Sequence, residues 1–178
     1  MLIEDGTGGG YKAAVNSENK LRTYSVTEPE IVHVSEFEEQ SYIWTATADW
    51  GADKNSLWIR NDSTTNNLCI YWVAVSPAAA CQVEIGVGTG NTSAGTTVTG
   101  TNMNRGSGNV ALATGKHTNT NCDAMSGLTI IHAFWAGIVN NVINFDGSLL
   151  LGYLDEIGIG LITDVGSTTV TVLGYYHD

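Results

Sequence analysis

Apolar and polar residues alternate over short stretches along most of the chain, and each stretch closes on Gly, Asn, Asp or Ser. A period of two predicts strands with one buried face, and the closing residues are those that tight turns require. From Ser41 onward the pattern recurs in SYIWTAT, SLWIRN, LCIYWVAVS, CQVEIGVG, TTVTGTN, LTIIHAFW, NNVINF, SLLLGYL, IGIGLIT and TTVTVLGYY. All are rich in the β-branched and aromatic residues that suit a pleated sheet. In CQVEIGVG, Val83, Ile85 and Val87 alternate with Gln82, Glu84 and Gly86, which predicts one buried and one wet face. Leu68 to Val75 is apolar on both faces. It therefore belongs in mid-sheet with both sides covered, by an opposing sheet and an arm or by a neighbouring subunit.

Polar links separate these segments, notably Asn61 to Asn67 and Asp164 to Ser167. The Gly/Thr/Asn/Ser stretches 88–100 and 102–109 read as loops of a sandwich, with a strand-like centre at Thr96 to Thr99. Ala133 to Asn141 has room for a turn or two of helix, but strand-forming residues dominate it. No fixed repeat appears, which removes solenoids and propellers. The fold class is all-β. Residues 1–40 read differently, as an arm: Gly6, Gly8, Gly9 and Gly10 fall nearly in a row, and Ile31, Val32 and Val34 suggest a single strand. The expected organisation is an arm with a first strand over 1–40 and a β-sandwich over 41–178.

At 178 residues the chain suffices for one sandwich with a real core and is short for two domains. Eighteen acidic against seven basic residues give a net charge of −11. The basic residues are scattered, so neither a phosphate backbone nor nucleic acid is an expected partner. The start MLIEDG lacks the basic and apolar regions of a secretory signal, and no apolar run reaches the ~20 residues of a membrane-spanning helix. No membrane partner is expected, and synthesis in the cytoplasm is.

Candidate chemistry is sparse. His33, His117, His132 and His177 show none of the close spacings of a metal site, so no metal is expected, and His132 reads as a core residue within an apolar run. Asp155 and Glu156 are adjacent and point to opposite faces of a strand, which disqualifies them as a catalytic carboxylate pair. Glu36, Glu38 and Glu39 read as a solvated acidic face. GTGGG and GVGTG lack the lysine and the strand–helix context of nucleotide-binding loops, so no cofactor and no catalytic residue is expected. Trp50, in DWGADK between two predicted strands, is the aromatic residue best placed for ligand contact, such as stacking on a sugar ring. Cys69, Cys81 and Cys122 are an odd number at wide spacing. Cys69 and Cys81 can lie on neighbouring strands, yet cytoplasmic synthesis predicts free thiols, with Cys122 in HTNTNCD the most accessible.

Three stretches, VNSENKLRTYSVTEP, GTTVTGTNMNRGSGNVALAT and LGYLDEIGIGLITDVGSTTVTVLGYYHD, together resemble small virion proteins of tailed bacteriophages. The resemblance covers most of the chain in style and order and rests on no catalytic motif. It implies a jelly-roll-like antiparallel β-sandwich with an extended N-terminal arm, and a non-enzymatic structural role in the virion. Within that class a capsid decoration (cement) protein on the capsid surface is the first expectation, with the major capsid protein and itself, as a homotrimer, for partners. A head-fibre, tail or carbohydrate-binding receptor protein is the alternative. The apolar opening Met1, Leu2 and Ile3 suits docking on another subunit. Leu68, Ile70, Tyr71, Trp72 and Val73 are the expected subunit interface, because that strand carries more apolar surface than one sandwich needs.

Overall fold

The computed structural model describes residues 3–4, 12–13, 31, 34–35, 39–50, 54–90, 95–117 and 127–177. Of residues 3, 4, 12, 13, 50, 54 and 55 it describes the backbone alone. Two short strands, β1 (Ile3–Glu4) and β2 (Lys12–Ala13), pair antiparallel near the start of the chain. The sandwich follows as β3 (Ser41–Trp50), β4 (Lys54–Asn61), β5 (Asn67–Pro77), β6 (Cys81–Thr89), β7 (Thr96–Val98) and β8 (Thr101–Asn102). It continues as β9 (Ala113–His117), β10 (Thr129–Ala136), β11 (Asn141–Leu151), β12 (Asp155–Leu161) and β13 (Gly166–His177).

One sheet runs β10-β6-β12-β4-β9-β7 and the other β11-β5-β13-β3-β8. Every pairing is antiparallel and the long strands are nested: β3 lies on β13, β4 on β12, β5 between β13 and β11, and β6 between β12 and β10. Chain neighbours such as β3 and β4, or β5 and β6, fall in opposite sheets, so each short link crosses from one layer to the other. The inner faces supply a single core of Trp44, Leu57, Ile59, Leu68, Ile70, Val73, Val75, Val83, Ile85, Ile157, Ile159, Val170 and Val172, all inaccessible to solvent. The alternation expected in β6 holds from Gln82 to Ile85, with Val83 and Ile85 buried between the partly exposed Gln82 and Glu84, and fails beyond it, where Gly86 is buried and Val87 partly exposed.

Glycine makes room for the largest of these side chains. A Cβ on Gly100 would stand 2.7 Å from the Trp44 indole, and one on Gly115 would stand 3.0 Å from that indole and 2.4 Å from the Val98 carbonyl. Gly115 therefore lets β9 approach β7 while Trp44 packs beneath it. The polar link after β4 is pinned by Asn61, whose buried amide donates to the carbonyls of Asn66 and Leu151, both at 2.9 Å, while its Oδ1 accepts from the Ser63 N–H at 3.0 Å. A buried amide is tolerated there because its hydrogen-bonding capacity is met.

Several expectations change. TTVTGTN is divided, Thr96–Val98 joining one sheet and Thr101–Asn102 the other. NNVINF from Asn141 and SLLLGYL as far as Leu151 run together as the single strand β11, whose pairing with β5 is interrupted between Asn144 and Leu149, where Asp146 and Gly147 take positive φ. Ala133 to Asn141 is strand and turn. Of the strand expected on Ile31, Val32 and Val34, Val32 lies outside the described residues, and Ile31 and Val34 are not in a strand. Three residues apart, those two instead pack on Cys69, Tyr71 and Tyr175.

Candidate functional site

The two sheets end very differently on their two flanks. On one side the edges are β7 and β8, three and two residues long. On the other they are β10 and β11, eight and eleven residues long and joined by the four-residue link from Gly137 to Asn140. An edge strand carries a row of backbone groups with no neighbour to bond, and shortening the strand is one way proteins blunt that hazard. Among the described residues, only the β7/β8 flank is blunted in this way.

The long flank is also apolar. Trp135 is 72% exposed, and Ile138 and Val139 in the link are 71% and 66% exposed. Ile130, Ile131, Val142 and Leu150 are between 40% and 54% exposed. Turn tips normally carry Gly, Asn, Asp or Ser, so Ile138 and Val139 stand where local turn chemistry gives no reason for them. Asn141 performs the turn's polar work, its side chain donating to the Gly137 and Val139 carbonyls at 2.9 and 2.6 Å. Between the two edges, at the end of the flank, a cavity of about 340 Å³ is lined by Val87, Thr89, Thr129, Leu149, Leu151 and Asp155, among others.

A second cleft of about 390 Å³ opens among Gln40, Tyr42, Asn66, Asn109, Leu112 and Tyr176. Burial pushes both phenols up from their ordinary range. For Tyr176 the neighbouring Tyr42 and Asp62 add to the rise while a weak backbone interaction with Leu112 opposes it, and for Tyr42 the Asn102 side chain opposes it. Tyr42 and Tyr176 are each only 2% exposed, so the cleft offers the amides of Gln40, Asn66 and Asn109 above buried rings, the makeup of a site for a neutral polar ligand held by hydrogen bonds.

The expected site residues fall as follows. Met1 and Leu2 lie outside the described residues, and Ile3 contributes its backbone to β1. Leu68, Ile70 and Val73 are fully buried in the core of the chain itself, so they are not a surface for a partner. The second apolar face of β5 is covered in part within the chain: Val34 packs on Cys69, while Tyr71 and Trp72, beside a bulge facing Gly174, stay half-buried. Trp50 closes β3 opposite Gly166, at the end of a strand rather than in a loop. No family model, curated protein or solved structure matches this chain.

Among the histidines, His33 lies outside the described residues, His117 is in β9, and His132 and His177 are exposed on β10 and β13. His132 is thus not a core residue, because its apolar run forms an edge. Among the described residues no three His, Cys, Asp or Glu converge as metal ligands. Glu36, Glu38 and Cys122 are outside the described residues. Cys69 and Cys81 are free, buried and in opposite sheets, β5 and β6, not on neighbouring strands. Sequence reasoning passed over the flank of Ile130, Ile131, Trp135, Ile138, Val139, Val142 and Leu150. The signal available was the Ile-Val pair inside a turn.

Proposed function

We propose that this chain is a non-enzymatic assembly protein, and specifically a decoration protein of a tailed-phage capsid. The exposed apolar flank of β10 and β11 carries the assembly reading, since an apolar surface of that extent on long open edges marks a binding face rather than a solvated one. The nested strand order supports a jelly roll, in which a long antiparallel ribbon is rolled into two sheets. The step from assembly to phage head rests on the resemblance of the three stretches quoted above. Attachment is assigned to the N-terminal arm with its apolar Met1-Leu2-Ile3 opening.

Purified chain is mixed with purified phage heads and the particles are imaged by electron microscopy. Added density at capsid threefold or hexamer-centre positions is expected, and deletion of residues 1–15 should abolish it while the sandwich stays folded. Density confined to a tail tip, or no density at all, refutes the decoration role.

One observation favours a receptor-binding role as the second reading. The cleft at Gln40, Asn66 and Asn109 offers side-chain amides that suit the hydroxyls of a sugar. Glycan-array binding lost on Asn109→Ala would favour it.

A further inference from the structure

From the shape of the two flanks we infer that a second copy of this chain covers the β10/β11 flank, in a twofold dimer that sets each long edge antiparallel to its own copy. The inference rests on the assembly reading above and names the partner. A twofold axis normal to the sheets brings β10 against β10 and β11 against β11, so that both sheets continue across the contact and the open backbone groups find partners.

Three observations select this occupant. The first is placement: seven large exposed apolar residues fall on the two edge strands and the link that joins them, where the edges of a second copy would lie beside them. The second is charge. The chain carries −11, yet from Thr129 to Leu151 its only ionisable side chains are His132 and Asp146, so two copies meeting here bring few like charges together. The third is edge length. A head-to-tail ring that continued the sheets from copy to copy would join this flank to the opposite one, where β7 and β8 offer three and two residues against eight and eleven. Self-pairing matches long edge to long edge and apolar side chains to their equals. Of the β5 residues on which the expected trimer rests, Leu68, Ile70 and Val73 are buried inside the chain, which leaves the β10/β11 flank the more exposed apolar face.

The test is sedimentation of the full chain from about 1 µM to about 100 µM, where a self-associating pair shifts by mass action. A species of twice 18.9 kDa is expected, tightening as added salt screens the like charges. Trp135→Lys and Val142→Lys sit on exposed positions that the monomer does not need, and each should weaken the dimer by about tenfold or more. Leu112→Lys, exposed elsewhere on the molecule, should leave it intact. Amide exchange in β10 and β11 should slow as concentration rises. A monomer at the highest concentration, a trimer, or equal disruption by Leu112→Lys and Trp135→Lys overturns the proposal. Head binding is scored separately: a monomer that still decorates heads refutes the dimer alone, and a dimer that ignores heads refutes the decoration role alone.

Discussion

The indole nitrogen of Trp58 donates a 3.0 Å hydrogen bond to Oε2 of Glu156, a carboxylate with no solvent exposure. The two lie on adjacent strands, β4 and β12, and the bond is reinforced from outside. Arg60 stands 5.6 Å from the Trp58 ring centroid, and its Nε donates to Asp62 at 2.7 Å. Asp62 in turn accepts from the Thr114 hydroxyl on β9. A polar network thus ties three neighbouring strands of one sheet. Glu156→Ala strands the buried indole N–H and should cost about 3 kcal/mol, whereas Glu156→Gln keeps an acceptor and should cost about 1 kcal/mol. Denaturant melts of both variants check the order, and equal losses would show that the bond itself contributes nothing.

Gly115→Ala should be among the most damaging single-methyl changes in the molecule. Its new Cβ meets the Val98 carbonyl at 2.4 Å, and a backbone atom cannot swing aside as a flexible side chain can. A loss of about 3 kcal/mol is expected, with β7 released from β9. Gly108→Ala, where a Cβ meets nothing within 4 Å, is the matching control and should stay within about 0.5 kcal/mol.

Two of the three thiols, Cys69 and Cys81, should be silent in the native protein. Cys69 and Cys81 are buried in opposite sheets, and burial pushes the Cys81 thiol up, away from its reactive thiolate form. Alkylation under native conditions should leave both unmodified, and under denaturing, non-reducing conditions both should be modified. Recovery of a linked Cys69–Cys81 peptide would contradict this arrangement.

Alkaline pH should unfold the protein through its buried phenols. Tyr42 and Tyr176 hold their protons to higher pH when folded than when unfolded, so their contribution is complete below the unfolded value of 10.0 and is lost as pH rises above it. The Tyr176 hydroxyl makes no well-formed hydrogen bond. Tyr176→Phe should therefore change stability at neutral pH by no more than about 1 kcal/mol and flatten the decline above pH 10, which thermal melts across that range measure. An unchanged alkaline limb would assign the effect to other groups.

How much of this was written in the sequence depends on whether a feature is local. Strand positions were legible because side-chain alternation and turn residues act within a few residues: SYIWTAT, SLWIRN, CQVEIGVG and TTVTVLGYY all fall within strands β3, β4, β6 and β13. Ala113–His117 was missed, since its central Gly115 carries no side-chain signal and serves instead to admit Val98 and Trp44 from elsewhere in the chain.

What only the tertiary structure decided was which strands lie inside and which lie at an edge. LCIYWVAVS and LTIIHAFW are similarly apolar, yet the first sits between β13 and β11 with Leu68, Ile70 and Val73 sealed, while the second closes its sheet with Ile130, Ile131 and Trp135 in water. Hydrophobicity records what a residue gains by burial and not whether a neighbouring strand arrives to bury it. That neighbour is set by pairings across the whole chain, such as Ser41 with Tyr175, and no short window of sequence contains them. The same reason placed Cys69 and Cys81 in different sheets despite the short link between their strands.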